Sequence, residues 1–127
     1  MTKVGNTYRR FHGYLANKPT NFSWVIKDGL AGSGMPMTYS QFIWLIRHGI
    51  EAIVTIREVP LPSKWFANKA IDYFHLKVED YGAPSLIDID ATVNYVKEHI
   101  SDGKPVMVHC AAGKGRTGTI LAAYFLK

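Results

Sequence analysis

The sequence predicts a single α/β domain around a mostly parallel central sheet flanked by helices. Short β-branched runs alternate with segments of helical period, two of those segments begin at capping residues, and 127 residues suit one core. Residues 1–20 mix polar, basic and aromatic types without periodicity and are set apart as an N-terminal extension of unknown role. Residues 21–127 form the domain.

Lys18-Pro19-Thr20-Asn21 predicts a turn into the domain, and Trp24-Val25-Ile26-Lys27 a first strand. Leu30 to Gly34 reads as a short glycine-rich connection. Thr38-Tyr39-Ser40-Gln41 has capping-box spacing, apolar Phe42, Ile43, Leu45 and Ile46 follow, and His48-Gly49 supplies a stop, which together predict a helix. Ala52-Ile53-Val54-Thr55-Ile56 predicts a buried strand. Residues 57–69 carry Pro60 and Pro62 and read as a loop with a helical turn, whereas Ile71 to Val78 is strand-like. Ser85-Leu86-Ile87-Asp88 has N-cap spacing, Val93, Val96 and Ile100 continue one helical face, and Gly103 closes it. Asp88 and Asp90 at that helix start suit capping and the dipole. Pro105 to His109 predicts the last strand, and Thr117 to Leu126 the last helix.

Apolar residues make up 47% and charged residues 20%, which excludes a disordered chain. No apolar run approaches the roughly 18 residues that would span a bilayer. The start, Met1-Thr2-Lys3-Val4-Gly5, has neither a signal-peptide stretch nor a glycine at position 2. The expectation is a protein without a membrane span, in the cytoplasm and, in a eukaryote, also the nucleus. The formal net charge of +5 suits an anionic partner, but the basic residues are dispersed, which argues against nucleic acid. Trp24, Trp44 and Trp65 read as core or rim aromatics, and His75 as plain packing. The one cysteine, Cys110, excludes an internal disulfide and points to a reducing compartment. A lone cysteine is most often a small buried hydrophobe. Its neighbours decide otherwise.

Those neighbours are His109-Cys110-Ala111-Ala112-Gly113-Lys114-Gly115-Arg116-Thr117-Gly118. A strand ends at His109, a seven-residue loop carries Cys at one end and Arg at the other, and a helix begins near Thr117. Backbone N–H groups in such a loop form an anion nest, and the helix N-terminus adds its positive end. Gly113 and Gly115 permit the conformations a close approach to phosphate requires. The same field lowers a thiol pKa from about 8.5 towards roughly 3.5–7.5, so the sequence predicts a thiolate at Cys110. Arg116 offers a planar fork for two phosphoryl oxygens, which lysine cannot match.

This loop resembles the signature of the cysteine-based protein-tyrosine and dual-specificity phosphatases. Asn21 to Val25, Leu30-Ala31-Gly32, Val78 to Pro84 and Gly118 to Ala122 narrow the resemblance to the small atypical VHZ-like and archaeal single-domain members. It runs from about Asn21 to the end of the chain. The resemblance implies that Cys110 attacks phosphorus and forms a phosphocysteine, while Arg116 and the amides of Ala111, Ala112, Gly113, Lys114, Gly115 and Arg116 hold the phosphoryl oxygens. Thr117 would donate its hydroxyl to the sulfur, and Asp80 would be the general acid, with no metal or other cofactor. The family keeps proline just before this acid, where this sequence has Glu79, so Glu79 stands as the competing carboxylate. His109 is expected to hold the loop from a buried, satisfied position. Lys114 matches half of a lysine pattern of phosphoinositide-directed relatives, which carry a second lysine where Ala111 stands. Members usually continue with two further helices, so Ile120, Leu121, Tyr124 and Phe125 are expected to lose cover if these are absent, and a dimer then becomes plausible.

The function the resemblance implies is hydrolysis of phosphotyrosine, with phosphoserine and phosphothreonine as further substrates, on a phosphorylated protein partner. The alternatives are a phosphoinositide or RNA 5′-phosphatase with the same chemistry, or a phosphate-binding module without turnover. Oligomeric state stays open.

Overall fold

The computed structural model describes residues 17–79, 82–110 and 115–126. Among them run β1 (Ser23–Ile26), β2 (Leu30–Ser33), α1 (Tyr39–Arg47), β3 (Ala52–Ile56), β4 (Asp72–Leu76), α2 (Leu86–Ser101), β5 (Val106–Cys110) and α3 (Arg116–Leu126), with a 3-10 turn at Ser63–Phe66 between β3 and β4. The sheet order is β1-β2-β5-β3-β4. β1 pairs antiparallel with β2, and the β2–β5, β5–β3 and β3–β4 pairings are parallel. This is the α/β architecture the alternation of runs predicts.

Both sheet faces are covered, so β3 and β5 are buried at every residue. Strand alternation then sorts two cores. Leu30, Ala52, Val54, Ile56, Val106, Val108 and Cys110 pack with Val93 and Val96 of α2 and Ile120 of α3. Ala31, Ile53 and Met107 pack on the other side with Phe42, Trp44 and Leu45 of α1. Each fully buried Ile, Leu or Val contributes about 1.5–3 kcal/mol, so the two layers lock the β5 edge in place.

The predicted caps form. Thr38 Oγ1 accepts from the Gln41 N–H at 3.1 Å, and Gln41 Oε1 accepts from the Met37 N–H at 2.7 Å. Ser85 Oγ accepts from the Asp88 N–H at 3.1 Å. Gly49 and Gly103 take φ of 96° and 74° just past α1 and α2, the stop positions that favour glycine.

One element departs from expectation. Leu30 to Ser33 is not a connection but the buried strand β2, parallel to β5. Gly32 masks the strand signal because glycine is a poor strand former. Its place is set by α3: a Cβ there would lie 3.2 Å from Leu121 Cδ1 and 3.5 Å from Thr117 Cγ2. The glycine lets α3 settle onto the sheet.

Candidate active site

Cys110 is the last residue of the central strand β5, in register with Ile56 of β3, and only 8% exposed. It therefore stands at the carboxyl edge of a parallel sheet, where α/β folds place ligands. The next described residue, Gly115, has φ of 70°, and its carbonyl accepts from Thr119 N at 3.1 Å and Thr119 Oγ1 at 3.2 Å. These bonds close the first turn of α3. The helix thus starts at the same edge, with its positive end towards the loop that Cys110 opens.

A cavity of about 550 Å³ has Cys110, Gly115 and Thr117 in its wall. Ser33, Met35, Met37, Val25 and Leu121 also line it, and none of its lining residues among those described is charged. The Thr117 hydroxyl is buried and has no hydrogen-bond partner among the described residues. An unsatisfied buried hydroxyl costs about 1–3 kcal/mol, a cost that a sulfur or phosphoryl acceptor would relieve.

Arg116 is 4% exposed and reaches across the edge. Its Nη2 donates to the carbonyl of Glu79 at 2.6 Å and to that of Gly82 at 3.1 Å. Gly82 N–H also donates to the Glu79 carbonyl, at 2.8 Å. The guanidinium is tied to the two carbonyls that bracket positions 80 and 81. Asp80, Ala111, Ala112, Gly113 and Lys114 lie outside the described residues. The structure brings together Cys110, Gly115, Thr117 and Arg116, with Arg116 anchored to the segment that carries Asp80. The Glu79 side chain is exposed.

Behind the cysteine, His109 points to the opposite face and is fully buried. Its Nε2 lies 2.7 Å from Thr55 Oγ1; Tyr73 donates its hydroxyl to Thr55 Oγ1 at 2.8 Å and accepts from the Leu61 N–H at 2.9 Å. Burial holds the His109 pKa down, from 6.5 to about 3, helped by the Arg57 charge and opposed by the Cys110 backbone. The ring is neutral around pH 7. Its Nδ1 is buried without a hydrogen-bond partner among the described residues, and the loop this histidine is expected to hold lies outside them. Burial raises the Tyr73 pKa against the opposing effects of Thr55, Leu61 and Arg57.

Sequence reasoning missed Thr55, Tyr73 and Arg57. The available signal was Thr55, a polar residue inside the apolar run of β3. His75 is also more than packing, since its Nε2 lies 2.7 Å from the Arg57 carbonyl. Trp44 is core as expected, while Trp24 and Trp65 are half-buried beside it.

Among known proteins, MJ0215 of Methanocaldococcus jannaschii, itself uncharacterized, is 44% identical over 95 residues, 70% of this chain and 58% of its own length. A second protein of that organism, MJECL20, is 44% identical over 54 residues, 42% of this chain and 37% of its own. The chain thus spans less than two thirds of either relative. The phosphatidylglycerophosphate phosphatase PTPMT2 of Arabidopsis thaliana is 30% identical over 83 residues, 62% of this chain and 36% of that protein. Among solved structures, Tk-PTP in its active form superposes with a TM-score of 0.68 at 26% identity, covering 76% of this chain and 67% of that one. The kinase associated phosphatase shares the fold, with a TM-score of 0.72 at 17% identity over 86% of this chain and 74% of that one. The model of the Swiss Army Knife protein DSP-PTPase phosphatase domain matches residues 19–127. With a cysteine at the sheet edge and an arginine opening the next helix, the chain belongs to this family of small, atypical cysteine-based dual-specificity phosphatase domains.

Proposed function

We propose that this domain hydrolyses phosphomonoesters of protein, phosphotyrosine foremost, through a phosphocysteine at Cys110. The observation that carries the reading is the meeting of Cys110, the start of α3 and Thr117, whose hydroxyl has no partner among the described residues, at one cavity. Cys110 Sγ attacks phosphorus, the bond to the ester oxygen breaks, and Asp80 gives that oxygen its proton. Water then attacks the phosphocysteine, returns a proton to Asp80, and inorganic phosphate leaves as the sulfur regains its electron pair. Thr117 Oγ1 donates to the departing sulfur, and Arg116 with the loop amides stabilises the charge on the phosphoryl oxygens. Arg116 also holds the Asp80 segment by its carbonyls, so phosphate capture and acid placement share one side chain. The described lining of the cavity beside Cys110 carries no charge, which supports a phenyl ring rather than a polyanion. A reducing compartment such as the cytoplasm fits a mechanism that needs its only cysteine free.

A second reading takes a phosphorylated lipid headgroup as substrate. It is favoured by the Arabidopsis relatives, both called phosphatidylglycerophosphate phosphatases, at 30% and 32% identity. Turnover of p-nitrophenyl phosphate, lost in Cys110→Ser while a phosphate analogue still binds, tests the chemistry and excludes a mere binding module. A panel of phosphotyrosine peptide, phosphothreonine peptide, a soluble phosphoinositide and 5′-triphosphate RNA at fixed salt tests the substrate. Tenfold preference for the inositide or RNA overturns the protein reading.

A further inference from the structure

We infer that Arg57 is a second anion-binding residue of this site, taking a carboxylate that flanks the phosphorylated residue of a peptide substrate. This rests on the phosphatase reading above. Ile56 pairs in register with Cys110, so Arg57 stands one residue beyond the nucleophile's row at the same edge of the sheet. Its backbone is pinned there: the Arg57 carbonyl accepts from Val78 N at 3.3 Å and lies 2.7 Å from His75 Nε2. The guanidinium Nη1 donates to Met35 Sδ, and Met35 lines the cavity that Cys110 opens into.

A thioether is a weak acceptor and carries no charge. Arg57 is nevertheless half-buried, and a cation drawn out of water is normally met by an anion. The pairs that Asp72 makes with His99 and Lys104 lie at the other end of the sheet and do not involve Arg57. The Arg57 charge is felt locally, disfavouring protonation of His109. A planar fork whose side-chain partner among the described residues is a thioether can exchange that contact for a bidentate carboxylate. The described lining of the cavity carries no charged residue, which suits the ring of phosphotyrosine inside and the flanking acid at the rim beside Met35.

The test uses the full chain and two phosphotyrosine peptides differing only by Glu or Gln beside the phosphorylated residue, with a soluble inositol bisphosphate as the third arm. Wild type should favour the Glu peptide by about fivefold or more in kcat/KM at low salt, the scale of one partly exposed ion pair. Arg57→Met, which keeps the apolar stem, should erase that preference, and Arg57→Lys should restore part of it. No preference in wild type, or a preference that survives Arg57→Met, overturns the proposal. Loss confined to the inositol bisphosphate overturns the peptide assignment. Calorimetric binding of the same ligands in a Cys110→Ser background reads the Glu/Gln ratio without turnover. If wild type hydrolyses nothing, the phosphatase reading fails, and the binding ratio still decides the role of Arg57.

Discussion

Thr55 Oγ1 and His109 Nε2 lie 2.7 Å apart, 54 positions apart in sequence but side by side in the register of β3 and β5. With Tyr73 and Leu61 they form a hydrogen-bonded chain from the back of the nucleophile strand to the loop after β3. If donation runs one way, from Leu61 N–H through Tyr73 and Thr55 to His109 Nε2, the ring proton sits on Nδ1, towards the Cys110 side. Nitrogen-15 shifts of His109 should then show the Nδ1–H tautomer around pH 7. Tyr73→Phe should cost about 1–2 kcal/mol, because the buried Thr55 and Leu61 groups each lose a partner. An unchanged unfolding midpoint together with an Nε2–H ring would dismiss the chain as incidental.

His109 also sets a pH dependence. Its folded-state value of about 3 lies below the ordinary 6.5, so between those limits the unfolded chain binds more protons than the fold. Stability should therefore rise with pH from about 3 to 6.5 and be insensitive to this group above it. The slope reaches at most about 1.4 kcal/mol per pH unit. Urea titrations of wild type and His109→Gln across that range should show a shallower slope in the variant. Parallel slopes would remove His109 from the account.

Gly34 tests the entry to the site. Its N–H donates to the Thr20 carbonyl at 2.7 Å, and a Cβ there would lie 2.7 Å from that same oxygen. Gly34→Ala should cost about 1–3 kcal/mol, since backbone rather than a side-chain tip must move. Gly32→Ala meets the flexible end of Leu121 and should cost less. Denaturant midpoints of the two variants decide the ranking.

The acid can be assigned by leaving group. Asp80→Asn should slow hydrolysis of poor leaving groups by roughly 10²–10⁴ and good ones less. Glu79→Gln should do little, because what ties Glu79 to Arg116 is its carbonyl, which the substitution keeps. A silent Asp80→Asn beside a slow Glu79→Gln would exchange the roles.

Peroxide should oxidise Cys110 and abolish the proposed activity, and the sequence holds no second cysteine to trap the sulfenic acid as an internal disulfide. Thiol rescue should fade with exposure time. Full recovery of activity after prolonged oxidation would count against this course, as would mass spectra lacking a Cys110 adduct.

Much of this protein was legible in the residues themselves. The runs Ala52–Ile56 and Val106–Cys110, the caps Thr38 and Ser85 and the stops Gly49 and Gly103 are local signals, and local signals survive in one dimension. The spacing of Cys110, Gly115, Arg116 and Thr117 belongs with them, because an anion nest before a helix is built from consecutive residues. Other features depended on what the fold brought together. β2 was hidden because Gly32 answers to α3, some 85 positions later in the chain. The tie from Arg116 to Glu79 and Gly82, and the row of Tyr73, Thr55 and His109, exist only once parallel strands are in register. So does the contact of Arg57 with Met35, which joins residues 22 positions apart. Covalent neighbours determine which chemistry a loop can perform, whereas the partners of a buried polar group are chosen by the sheet that buries it.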